Sequence, residues 1–216
     1  MCDCVALHFL RAISLFMLLV ESHAAICRYQ ATYVSRTAGF WEPGEIHAIL
    51  VALDRIAAAN PDGPVPALLD IGANVGTFSL VAAAFGYTVR AFEAMPRNAQ
   101  AIYQTLCWNP SIRERLTLFP YALGEEEASC AVMSVFNNVA NGNLVCTDEQ
   151  LARHQDMERR GVTHVVRLGD YLGGVRSDVM KIDVEGFEPH VLRGAGMLPA
   201  GCPTCTLQHE QFSTTW

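Results

Sequence analysis

Three short runs in this sequence bring together residue types that do chemistry. The first is Leu68-Leu69-Asp70-Ile71-Gly72-Ala73-Asn74-Val75-Gly76-Thr77. An apolar strand ends in an acid, the chain turns through two glycines, and a helix begins. Glycine lets a backbone approach a ligand without a Cβ in the way, and ligands of open α/β sheets bind at the carboxyl ends of the strands. The second run is Val89-Arg90-Ala91-Phe92-Glu93, whose closing carboxylate follows Asp70 by roughly 20 residues, the offset at which an acid accepts hydrogen bonds from both hydroxyls of a ribose. The third is Val179-Met180-Lys181-Ile182-Asp183-Val184-Glu185-Gly186. Read as a strand, it puts Lys181, Asp183 and Glu185 on one face and Ile182 and Val184 on the other.

These runs point to a nucleoside-containing cofactor without a pyrophosphate. The dinucleotide pattern G-x-G-x-x-G is broken, since Asn74 takes the place of its middle glycine. A nicotinamide oxidoreductase is therefore disfavoured, and S-adenosylmethionine fits. Each run also has a plainer reading. The glycine turn is a tight turn, Glu93 is a helix-capping acid, and Lys181 with a carboxylate is a structural ion pair that offsets the cost of buried charge.

The elements that position these runs alternate. A leading helix covers 40–60, opening at Glu42-Pro43-Gly44, with proline suited to a first turn and Ile46, Ile49, Leu50 and Leu53 at helical spacing. Asn60-Pro61-Asp62-Gly63-Pro64 breaks it. Strands are expected at 67–71, 88–92, 116–121, 130–136, 162–168, 179–183 and 204–209, with helices at 77–85, 98–108 and 189–193. The polar stretch 137–155 is expected to be loop, and the place to look for acceptor contacts. Such alternation implies an α/β fold with a mostly parallel sheet covered by helices.

With Tyr121-Ala122-Leu123-Gly124, Asn141-Gly142-Asn143 and the Val191-Leu192-Arg193-Gly194-Ala195 run, these segments resemble the FkbM family of S-adenosylmethionine-dependent methyltransferases over about residues 66–212. The resemblance implies a Rossmann-like class I methyltransferase fold and methyl transfer to a hydroxyl of a sugar or small natural product. It implies that Asp70, Gly72, Asn74 and Gly76 line the methionine end of the cofactor, that Glu93 holds the ribose, and that a turn at Ala122 and Leu123 lies near the adenine. Asp183 and Glu185 would face the transferred methyl, with Asp183 the first choice for the base and Lys181 orienting the pair. Cation binding by Asp183, Glu185 and Glu210 is an alternative; no metal site is expected. Chains of the family run on beyond the strand carrying Glu210, so a sequence ending at Trp216 is expected to lack the last strands. A truncated, non-catalytic binding module is the alternative this suggests.

Composition sets the outer limits. The chain has 216 residues, 51% of them hydrophobic, with 15 basic and 22 acidic side chains and a net charge of −7. That suits one α/β domain (66–216), and the acidity argues against nucleic acid, which is met by basic surfaces. Residues 1–25 read as a signal peptide or membrane anchor. Val5–Val20 is apolar except for His8, Arg11 and Ser14, and Ser22-His23-Ala24 offers a small-x-small cleavage site. Entry into the secretory pathway or membrane association through the N-terminus is expected, with the cytoplasm otherwise. The eight cysteines are irregularly spaced; Cys202-Pro203-Thr204-Cys205 lacks the second ligand pair of a zinc site.

Overall fold

The computed structural model describes residues 43–136, 138–171, 176–196, 204–207 and 214–215, the last two segments as backbone only. The leader expected at 1–25, together with Cys202 and Glu210, lies outside the described residues. In chain order the elements are α1 (Pro43–Ala59), β1 (Ala67–Ile71), α2 (Thr77–Ala84), β2 (Thr88–Phe92), α3 (Pro96–Trp108), α4 (Pro110–Arg113), β3 (Leu116–Phe119), β4 (Ala122–Leu123), β5 (Ala128–Ser134), β6 (Asn143–Val145), α5 (Asp148–Arg153), β7 (Glu158–Val166), α6 (Leu168–Tyr171), β8 (Val179–Ile182), α7 (Glu188–Gly194), β9 (Thr204–Leu207) and β10 (Thr214–Thr215).

The main sheet has the order β10-β9-β8-β1-β2-β3. Its neighbours from β9 to β3 pair in parallel, and β10 alone runs antiparallel. Parallel strands buried on both faces read as continuous apolar runs, and every residue of β1 and of β8 is buried. Alternation then sorts their side chains into two cores. Leu68, Val89, Ala91, Leu116, Leu118 and Val179 pack with α1, α2 and α3, including Leu53, Val81 and Ile102. Leu69, Ile71, Phe92, Met180 and Ile182 face the other way, against Leu168 of α6 and Val191 of α7. The sheet is thus covered on both faces, a doubly wound arrangement in which β1 is central and the strand order reverses between β1 and β8, where ligands of such sheets bind.

The 128–166 region departs from the sequence expectation. Its strands do not join the parallel sheet but form a second one, ordered β4-β7-β5-β6, with β5 antiparallel to both β6 and β7. The reason is visible in β7, where buried Thr163 and Val165 alternate with exposed neighbours, the pattern of a strand with one solvated face. The polar stretch expected as loop contains β6 and α5, the latter opened by a capping box in which Thr147 and Gln150 each accept from the other's backbone N–H. Ala122 and Leu123, expected as a turn, form the short strand β4 on β7. The patterning also gave no sign of β10.

Helix α7 packs tightly on the turn that follows β4. A Cβ on Gly194 would stand 1.7 Å from the carbonyl oxygen of Gly124, a contact that only displacement of backbone could relieve. Gly194→Ala is therefore expected to destabilise the protein by about 2–3 kcal/mol, read as a lower urea midpoint at an unchanged m-value.

Candidate functional site

The chemistry-bearing segments converge where β1, β2 and β8 end. The β1–α2 turn is built from left-handed residues: Gly72 (φ 79°), Asn74 (φ 54°) and Gly76 (φ 89°). The backbone N–H groups of Gly72 and Ala73 both donate to Phe92 O at 3.0 Å, which stitches the turn to the end of β2. Gly72 also lies against the end of β8, where a Cβ would stand 1.8 Å from Asp183 O. Glycine is required there by conformation and by space together.

Beneath this turn is a buried charge cluster. Lys181 is 2% exposed and Asp70 0%. The Lys181 ammonium lies 3.2 Å from Asp70 Oδ1 and 3.7 Å from Asp183 Oδ2, and it donates to Gly72 O at 2.8 Å. Ser79 of α2 donates to the other Asp70 oxygen at 2.6 Å. The ring of Phe78 lies 4.9 Å from the ammonium. Removing one member of a buried pair strands the other charge, typically costing about 3–5 kcal/mol, so the cluster locks β1, β8 and α2 into one arrangement.

Above it opens a cleft continuous with solvent. Gly72, Asn74, Glu93, Ala122, Leu123, Asp183 and Glu185 line it, together with Tyr121, Asn141, Leu144 and others. Asp70, Gly76 and Lys181, expected at the cofactor or the reacting atoms, do not. Asp70 and Lys181 are enclosed by the turn they hold, and Gly76 closes the turn against Ile102 and Leu80. The shared strand face expected for Lys181, Asp183 and Glu185 also needs correction. Strand β8 ends at Ile182, so only Lys181 and Asp183 keep the alternation. Glu185 reaches the cleft through a left-handed turn, with φ 53° at Glu185 and 92° at Gly186.

Glu93 closes β2 and is buried. Its Oε2 accepts from the Asn74 backbone N–H at 2.7 Å, and its Oε1 accepts from the Met95 backbone N–H at 2.8 Å. Burial raises its carboxyl from the ordinary 4.5 to about 7, although those two N–H groups, Asn98 and the Lys181 charge all act to lower it. Asn98 is a residue that sequence reasoning missed. Its amide is directed to Ala140 O (2.9 Å), Asn74 Oδ1 (3.2 Å) and Glu93 Oε1 (3.4 Å). A signal was present, since Asn98 occupies the same stripe of α3 as buried Ile102 and Leu106, and a polar residue on an apolar stripe needs a partner. Asn141 and Asn143 were noted without a role; both reach Glu185, through its carboxylate and its carbonyl. A disulfide between Cys130 and Cys146 was also not foreseen. It lies at the base of the β5–β6 hairpin whose loop carries Asn141.

A doubly wound sheet with a glycine turn after β1, an acid following β2 and an acid-lined cleft at the switch point defines a Rossmann-like α/β protein. The Methyltransferase FkbM domain matches residues 70–213, two-thirds of the chain, and the chain belongs to that methyltransferase family. Solved structures with similarity include a methyltransferase FkbM from Methylobacillus flagellatus KT, at 18% identity and a TM-score of 0.43, covering 66% of this chain and 32% of that one. Another is WbdD in complex with the kinase inhibitor LY294002, at 20% identity and a TM-score of 0.34, covering 38% of this chain and 18% of that one. The chain thus spans about a third or less of the length of these structures. No curated protein matches it.

The Glu93 carboxyl gives a pH prediction. Its proton is held more tightly in the folded state than in the unfolded state, so its contribution to stability is full below about pH 4.5 and is lost as pH rises through about 7. Across that window the protein should lose up to about 1.4 kcal/mol per pH unit from this group. Denaturant midpoints measured from pH 4.5 to 8 should show this slope, and Glu93→Gln should flatten it.

Proposed function

We propose that the protein transfers a methyl group from S-adenosylmethionine to a hydroxyl of an uncharged small molecule or glycan. The observation that carries this reading is the charge of the cleft. The carboxyl groups of Glu93, Asp183 and Glu185 line it, and among the described residues no Lys, Arg or His does. Such walls suit a sulfonium cation and repel the pyrophosphate of a dinucleotide. Glu93, at the end of β2, has the position and the acceptor capacity for the two ribose hydroxyls. Gly72 and Asn74 would take the methionine end, and Ala122 and Leu123 of β4 the adenine. S-adenosylmethionine, when bound, supplies an electrophilic methyl group.

The protein's own contribution is positioning and proton removal. An alcohol attacks poorly until its proton leaves. Asp183 opens to the cleft, with its side chain 38% exposed, and its backbone N–H is fixed to Ile71 O at 3.0 Å. Its carboxylate is steadied by the Lys181 cation beneath, so it is placed to take the acceptor's proton. Glu185, opposite, orients the acceptor hydroxyl. Asp183→Asn is expected to cut turnover by at least about 100-fold while leaving the dissociation constant for S-adenosylmethionine within about threefold. Turnover is read as S-adenosylhomocysteine release with a panel of neutral polyols and glycosides, and affinity by titration calorimetry. Undiminished turnover would remove Asp183 from the mechanism. Absence of binding by folded wild-type protein would favour the non-catalytic binding module instead.

We also propose that the protein works in an oxidising compartment of the secretory pathway. The Cys130–Cys146 disulfide supports this, because structural disulfides are rare in the cytosol. Peptide mapping without reductant, on protein expressed with its N-terminal segment in a secretory host, should yield the Cys130–Cys146 cross-linked peptide from the medium or membrane fraction. Recovery of both residues there as free thiols would contradict the assignment.

A further inference from the structure

The two walls of the cleft belong to different sheets. The cofactor-side wall, with Gly72, Asn74 and Glu93, rises from the parallel sheet. The hairpin loop that carries Asn141 joins β5 to β6 of the second sheet. Loops of this kind are mobile unless tied down, and an open cleft built from two sheets requires a device that sets their spacing.

Asn141 has the contacts of such a device. Its Nδ2 donates to Glu185 Oε1 at 2.8 Å, and its Oδ1 accepts from Asn74 Nδ2 at 3.2 Å. One amide therefore touches both the glycine turn after β1 and the turn after β8. The contacts continue in one direction to the ribose acid: Asn74 Oδ1 accepts from Asn98, and the Asn74 backbone N–H donates to Glu93. Two further bonds fasten the loop at its flanks, from Asn98 to Ala140 O and from Asn143 to Glu185 O at 3.3 Å. The Cys130–Cys146 disulfide closes the base of the same hairpin, with the two Cα atoms 4.3 Å apart.

We propose that Asn141 is a positioning residue that couples the two walls, fixing Asn74, and through it Glu93, by way of its bond to Glu185. The inference rests on the reading of the cleft as an S-adenosylmethionine site. In this arrangement the amide group matters for its polarity as much as for its size. A donor must face the Glu185 carboxylate and an acceptor must face Asn74. An aspartate at position 141 keeps the shape and the acceptor but sets two carboxylates against each other. A glutamine at position 185 then supplies a donor, and the pair is restored with its polarity reversed.

The test is titration calorimetry with S-adenosylmethionine on four full-length proteins: wild type, Asn141→Asp, Glu185→Gln and the double variant. Asn141→Asp should weaken binding roughly tenfold, the range of a lost charged hydrogen bond, and the double variant should return to within about threefold of wild type. A merely structural role for Asn141 would leave the double variant as weak as Asn141→Asp, or weaker, and that result overturns the proposal. So does binding by Asn141→Asp equal to that of wild type. If Asn141→Asp fails to fold, as read by its melting transition, Asn141→Ser takes its place, with non-additive effects of Asn141→Ser and Glu185→Gln as the expected result and strictly additive ones as the contrary. Wild type that binds no S-adenosylmethionine overturns the function itself; wild type that binds while the exchange fails to rescue overturns only the role of Asn141.

Discussion

The arrangement depends on one buried cation. Lys181 has no water to turn to, so its charge must be answered by protein, and the groups that answer it come from separate elements: Asp70 ends β1, Asp183 follows β8, and the Gly72 carbonyl begins the turn. Buried ion pairs contribute little net stability compared with apolar packing of the same volume, but they are unforgiving of mispairing. Their effect here is geometric. With β1 and β8 neighbours in the sheet, the pair places the ends of both strands in register, Asp70 opposite Lys181. The close approach of Gly72 to Asp183 follows from that register, and so does the position of the Asp183 carboxylate at the cleft.

Much of the parallel half was legible because its constraints are local. Strands β1, β2 and β8 are mostly apolar runs with a charge at or near their carboxyl ends, and buried strands have few other ways to be written. The glycine turn announced itself by residue type, since left-handed backbone without a Cβ is rarely needed elsewhere. The second sheet was not legible. Its strands are half exposed, its register is set by partners distant in the sequence, and β5 carries an irregularity between Val132 and Met133. Alternation within each segment says that a strand exists but not which sheet receives it.

The candidate site divides along the same line. Glu93 and Asp183 could be named from spacing alone because each closes a strand of the parallel sheet. Asp70 and Lys181 were correctly singled out as charged residues in apolar strands, but which side of the turn they face depends on Ser79 and Phe78 of α2, a contact formed only by folding. Glu185 lines the cleft, but not by the strand alternation expected of it, since the chain has left the strand and reaches the cleft by a turn. The asparagines were hardest to read, because an amide carries no charge to betray a buried role and acquires one only from its partners.

The separation of the cleft into two sheets has an evolutionary consequence. The residues of the parallel-sheet wall are tied into the core, where substitution disturbs packing. The β5–β6 hairpin rests on a smaller core of its own around Ala122, Cys130 and Val165, closed by a covalent link. Changes in the length or composition of its loop are therefore absorbed locally. One wall of the cleft could therefore vary by exchange of a hairpin while the parallel-sheet wall stays untouched, provided that one asparagine continues to face both ways.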